Sequence, residues 1–191
     1  MTEAHHRKKH PAQVRVALLE GAASIIVEQG LTALSVQSVS DAAGVTKGGF
    51  FHHFPSRQAL LDGLFEWLLS GFDESLDAMI AADPEPFGCF TRAYVRSVFD
   101  NDRPGGRWDN VWISTMSDPE LKMKWVNWFE ARLKKHRLTD AGASFEAIRL
   151  TVDGIWLSRL SGSPLRHPDE ICASLIASTY KKSSVRKLND S

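Results

Sequence analysis

The chain has 191 residues, with 23 Lys and Arg balanced by 23 Asp and Glu, for a formal net charge of zero. That balance excludes a general polyanion binder and leaves room only for a local basic footprint. Two cysteines, Cys89 and Cys172, exclude a disulfide framework, and no apolar run is long enough to span a membrane, so a reduced cytoplasmic setting is expected, with no membrane partner.

The chain opens on His5-His6-Arg7-Lys8-Lys9-His10, and residues 1–10 read as a flexible basic arm. Such an arm either reaches DNA phosphates or the minor groove, or is a solvated tail without a role. A first helix follows from Pro11 to about Gln29, with Val14, Leu18, Ile25 and Ile26 on its apolar side and Gly30 as its terminating residue. Of the charged side chains in the first sixty residues, Arg7, Lys8, Lys9, Arg15, Lys47 and Arg57 face Glu3, Glu20, Glu28 and Asp41; five of the seven histidines lie there too.

Residues 35–57, SVQSVSDAAGVTKGGFFHHFPSR, read as two short helices around a glycine turn, with a third helix directly after them. Ser35 caps the first, because its hydroxyl accepts from free N–H groups of the opening turn. Val36, Val39 and Ala43 give one apolar face, and the small Ala42 and Ala43 let a neighbouring helix approach. Gly44 takes the positive φ of the turn, Val45 fills the angle between the helices, and Thr46 caps the next. Phe50 and Phe54, four apart, face inward. Lys47, Gly48, Gly49, His52 and His53 are then left on or near the outer side, and Pro55 ends the helix.

That outer face is costly for a helix that only has to be stable. Each glycine costs about 1 kcal/mol relative to Ala in a helix interior, less near a helix start. In return the backbone can come close to a partner. Lys47 adds positive charge beside N–H groups that already favour phosphate, and His52 and His53 can donate to phosphates or base edges. A recognition helix in the major groove presents this combination at its N-terminal end. The alternative is a helical hairpin with a glycine turn inside an ordinary all-α domain.

From Ser56 to about Ala82 there is no proline, and Leu60, Leu64, Leu68, Phe72 and Leu76 recur every four residues. The predicted helix is roughly 40 Å long, and Pro84 and Pro86 stop it. Beyond residue 86, helix periodicity marks segments near 86–99, 105–117, 119–138, 141–162 and 168–183, with Asp118-Pro119 as a start signal. Asp100–Arg107 is a candidate mobile connection. No strand-type alternation or internal repeat is present.

All six tryptophans lie after residue 60. Core packing accounts for such residues one by one, but Phe90, Trp108, Trp112, Met116 and Trp125 together are candidates to line an apolar ligand cavity. Asp153, in an otherwise apolar run, is its candidate polar anchor; Arg149 one turn earlier is the alternative partner, and a subunit interface a third. Gly154, Ser158 and Ser161 form a small-residue stripe that, with Leu175 and Thr179, suggests a helical dimer interface. No catalytic fingerprint is present, so no enzyme activity is expected. Adjacent histidines diverge on a helix, and Cys89, Cys172, His136 and His167 are scattered; neither a metal nor a cofactor is expected.

The stretch from about Val14 to Leu69 resembles the TetR family of transcriptional regulators. The resemblance rests on Ala42-Ala43-Gly44-Val45, Thr46, Phe51-His52-His53-Phe54, Pro55-Ser56 and Arg57. It implies an all-α fold: an N-terminal three-helix helix-turn-helix DNA-binding domain over 11–57, a link through the long helix 56–82, and a larger helical ligand-binding and dimerisation domain over 58–191. It also implies DNA contacts at Ser35, Thr46, Lys47, Gly49, Phe51, His52, His53 and Arg57, to which the residue pattern adds Gly48. Two positions depart from the family pattern. Phe51 stands where a tyrosine hydroxyl commonly meets phosphate, which points to packing alone, and Arg57 replaces the more usual lysine. The function implied is a homodimeric repressor, released from a palindromic operator when a small, apolar or aromatic effector binds the C-terminal domain. The alternative is a helix-turn-helix repressor or activator controlled by a protein partner or by abundance.

Overall fold

The structure is a computed structural model that describes residues 11–100, 111–112, 116–163 and 165–181. The basic arm, Trp108 and residues 101–107 of the candidate connection lie outside the described residues. Among those described there are eight α-helices and no strand: α1 Pro11–Gln29, α2 Val36–Ala43, α3 Lys47–His53, α4 Arg57–Ala81, α5 Cys89–Phe99, α6 Pro119–Lys135, α7 Ala143–Leu160 and α8 Pro168–Ala177. A 3-10 turn, Leu31–Ala33, precedes α2. None of the described helices is long and apolar enough to cross a membrane. The expected all-α fold class holds.

The described residues fall into two compact units. The first holds residues 11–72, 111–112 and 116–126; the second holds 73–100, 127–163 and 165–181. In the first, α1 to α3 and the opening turns of α4 share one apolar core of Leu18, Ala22, Ile26, Val39, Phe50, Phe54, Leu60 and Leu64. The turn is built as the residues demand. Ser35 Oγ accepts from Ser38 N at 3.0 Å while Ser38 Oγ accepts from Ser35 N, a reciprocal capping box. Gly44 sits at φ +65°, where a Cβ costs about 1–2 kcal/mol. An added Cβ at Gly21 of α1 would lie 3.2 Å from the Ala42 Cβ, so the small residues do let α1 and α2 approach closely. Gly63 of α4 makes room for the Phe54 ring, whose Cε1 would stand 2.8 Å from a Cβ there.

The second unit is organised around buried charge. Arg92 of α5 is fully buried and donates through Nε and Nη2 to both oxygens of Asp83, at 2.7 and 3.1 Å. Its remaining donors reach the carbonyls of Glu85 and Phe87 and the hydroxyl of Thr179. Arg132 of α6 holds Asp73 and Asp77. Arg149 of α7 donates to Thr91 Oγ1 at 2.9 Å and to the Asp140 carbonyl.

Two side chains take partners that sequence spacing does not single out. Arg149 points to Thr91 and Asp140; Asp153 instead accepts from the Tyr94 hydroxyl at 2.6 Å. Its carboxyl is nonetheless raised above the ordinary range by desolvation, with the Tyr94 bond and the Arg149 charge pulling down. Thr179, expected at a subunit interface, is fully buried in its own unit, bonded to Arg92 and to the Ile176 carbonyl.

Candidate nucleic-acid interface

The turn delivers α3 with one face in the core and the other in solvent. Phe50 and Phe54 are 0% and 2% exposed, whereas Lys47, Gly48, Phe51 and His52 are exposed and Gly49 and His53 half-buried. Thr46 caps the helix, its Oγ1 accepting from Gly49 N at 3.1 Å. The free N–H groups of the first turn thus open beside Lys47, where an anion is favoured.

The paired glycines are not required by packing inside the chain. A Cβ at Gly48 would come no closer than 3.7 Å to Thr46 Oγ1, and one at Gly49 no closer than 3.5 Å to that atom and Val45 Cβ, which is ordinary contact. Neither residue has positive φ. Alanine would fit both positions and favour the helix; the room they leave is on the solvent side.

Four of the predicted contact residues have surroundings that sequence spacing does not reveal. Phe51 meets Phe50 edge-to-face at 5.4 Å and is also 51% exposed, because its place on α3 is one residue off the buried face. His52 and His53 do not diverge; their rings meet edge-to-face at 5.2 Å. Desolvation, then the charges of His52 and Arg15, lower the His53 pKa, which favours the neutral imidazole. Arg57 spends Nε on the Leu34 carbonyl at 2.8 Å and Nη2 on the Leu31 carbonyl at 3.0 Å. It fastens the segment before α2 to the start of α4, a role that sequence spacing does not reveal. Ser35 is exposed, with its hydroxyl engaged in the capping box.

The predicted ligand residues are divided between the units. In the first, Trp112 and Trp125 meet edge-to-face at 5.6 Å, with Phe65 5.1 Å from Trp112 and Phe72 stacked on Trp125 at 6.3 Å. Met116 follows one turn after Trp112, its N–H bonded to the Trp112 carbonyl. In the second unit, Phe90 is fully buried and stacked on the His136 ring. None of these residues lines the open cleft of about 560 Å³ that the second unit carries beside Phe99, Arg159, Leu165 and Cys172. Of the predicted interface residues, Gly154 and Ser161 are exposed and Ser158 and Leu175 half-buried. Ser158 also bonds the Ser163 carbonyl.

Sequence reasoning missed one cluster. Cys89, His136 and Asp140 bring their donor atoms within 4.8 Å of one another in the interior of the second unit. Cys89 and His136 are 47 positions apart, and only the packing of α5 against the end of α6 joins them.

Comparison with known proteins supplies the last observation. Residues 18–64 match the family described as bacterial regulatory proteins, tetR family, and residues 88–176 match the tetracyclin repressor-like C-terminal domain. The HTH-type transcriptional repressor KstR2 of Mycobacterium tuberculosis is 35% identical over 68 residues, 34% of each chain. The match therefore spans about a third of that relative's length. The regulator BetI of Pseudomonas aeruginosa is 25% identical over 163 residues, covering 75% of this chain and 79% of the relative. Among solved structures, the multidrug binding protein EbrR complexed with malachite green shares the fold with a TM-score of 0.68 and 20% identity, over 87% of this chain and 98% of that one.

Proposed function

The chain belongs to the TetR family of regulators, and on that premise we propose that it is a sequence-specific DNA-binding repressor that acts as a homodimer. The observation that carries the reading is the solvent face of α3. It presents Lys47, Gly48, Gly49, His52 and an exposed aromatic, Phe51, with two glycines that internal packing does not require. Glycines there let phosphates and bases come close to the backbone N–H groups, and Lys47 neutralises phosphate. Phe51 supplies apolar contact to a base methyl or a sugar.

Dimerisation is supported by α7. Leu150 and Leu157 are 63% and 52% exposed, and Gly154 between them has open space on its Cβ side. With Ser158 and Ser161 they make an apolar, small-residue stripe suited to close helix packing, to which the proposal adds Leu175 of α8; the Thr179 side chain is buried within its own unit. A two-fold dimer calls for a palindromic operator with recognition helices about 34–36 Å apart. The effector is proposed to be a small apolar or aromatic molecule. The Phe65, Phe72, Trp112 and Trp125 cluster supports that chemistry, as does the malachite green bound in the EbrR complex. Binding would shift the population towards a form whose recognition helices no longer fit successive major grooves.

Selection from a random duplex pool tests the proposal. Enrichment of one palindrome is the expected result. Recovery of no preferred sequence at low as well as moderate salt would overturn it.

A further inference from the structure

We propose that Cys89, His136 and Asp140 form a binding site for a zinc-like divalent ion in the interior of the second unit. Their donor atoms all lie within 4.8 Å of one another. Metal bonds of about 2.0–2.3 Å bring donors on one ion to within roughly 4 Å of each other, so small rotamer adjustments close the set. A thiolate, an imidazole and a carboxylate are the donors a zinc ion takes.

An independent observation points to a missing ligand. The His136 Nε2 atom is buried and has no hydrogen-bond partner. Leaving such an atom unsatisfied costs about 1–3 kcal/mol, and buried polar atoms in folded proteins rarely go without a partner. The ring cannot readily turn away to find water, because Phe90 stacks on it at 5.1 Å with 10° between the planes.

The other two donors are as firmly placed. Cys89 is the first residue of α5 and is 7% exposed. Asp140 is 3% exposed; its Oδ1 accepts from the Thr91 N–H at 2.7 Å and its Oδ2 from the Thr139 hydroxyl at 2.8 Å. A carboxylate has about four lone-pair sites, so each oxygen keeps one for a metal. Ion binding would displace the Cys89 thiol proton to solvent, forming the metal–thiolate bond. In the metal-free protein, burial and then Asp140 push the Cys89 thiol up, and burial pushes the His136 imidazolium down. The resting state is then a neutral thiol and a neutral imidazole whose lone pair is available. An ion here would pin the turn after α6 to the first residue of α5.

The test is titration of the reduced full chain with Co²⁺, which reports thiolate ligation by a charge-transfer band and tetrahedral geometry by its visible spectrum. One ion per chain is expected, with the band retained in Cys172→Ser, lost in Cys89→Ser, and abolished in the wild type by added Zn²⁺. His136→Gln and Asp140→Asn should each weaken binding by about tenfold or more; Asp140→Asn keeps the acceptor for the Thr91 N–H, so helical circular dichroism should stay at the wild-type level. Absence of a thiolate band in the wild type, or its survival in Cys89→Ser, overturns the proposal. The spectra read no DNA, so this outcome is independent of the repressor reading.

Discussion

The helix-turn-helix and the second unit satisfy their polar groups in opposite ways. Around α2 and α3 the helix caps are local: Ser35 with Ser38, Thr46 with Gly49 and Ser56 with Ala59 are each three positions apart, while Arg57 reaches far along the chain. In the second unit the bonds join positions far apart in the chain, with Thr91 to Asp140 separated by 49 and Arg92 to Thr179 by 87. One region therefore stands on caps, a turn and an apolar core, and the other on buried arginines. The two should fail under different insults.

Removing a buried charge should have the largest effect. In Arg92→Met the Asp83 carboxylate, 1% exposed, loses the partner that bonds both its oxygens. A loss of about 3–5 kcal/mol is expected in urea unfolding of the second unit, and a loss below about 1 kcal/mol would contradict its dependence on buried charge. Acid is a gentler way to break the same pair. The Arg92 hydrogen bonds hold the Asp83 carboxyl below its ordinary range, and Arg132 does the same for Asp77. A depressed folded pKa gives stability that is present above the ordinary carboxylate value, about 4, and is lost as pH falls through the folded value. Helicity of the second unit should drop over that range. Asp153, raised instead, works in the opposite sense and softens the fall.

Packing is the weak point of the first unit. Gly63→Ala puts a Cβ 2.8 Å from Phe54 Cε1 and 3.2 Å from Arg15 Nη2, and should cost about 1–3 kcal/mol in thermal unfolding. The smallest stability change carries the most functional information. Gly48→Ala has room in the chain and should stabilise α3 by up to about 1 kcal/mol, yet DNA affinity should fall as the backbone is held off its partner. A variant that gained both stability and affinity would show that the glycine has no part in close approach.

The same contrast explains what could be read from sequence. Ser35, Gly44, Thr46, Asp118 and the inward Phe50 and Phe54 were legible because caps, turns and helical periodicity act over a few residues. Arg57 reaching back to Leu31 and Leu34 was not, since spacing carries no sign of it. For Asp153 the sequence offered a ligand, the neighbour one turn away, Arg149, or a subunit interface, but not Tyr94 on another helix, whose hydroxyl it accepts from. Thr179 looked like part of a surface stripe because its burial by Arg92 comes from packing between distant segments. Cys89, His136 and Asp140 looked scattered for the same reason.

The most direct test of the account is the salt dependence of binding to the selected duplex by the parent and by Lys47→Ala. If α3 carries the DNA-reading face, the variant should bind more weakly to all sequences, with a log–log salt slope smaller by about one. Parent-like affinity and slope would contradict the assignment of α3 as the recognition helix.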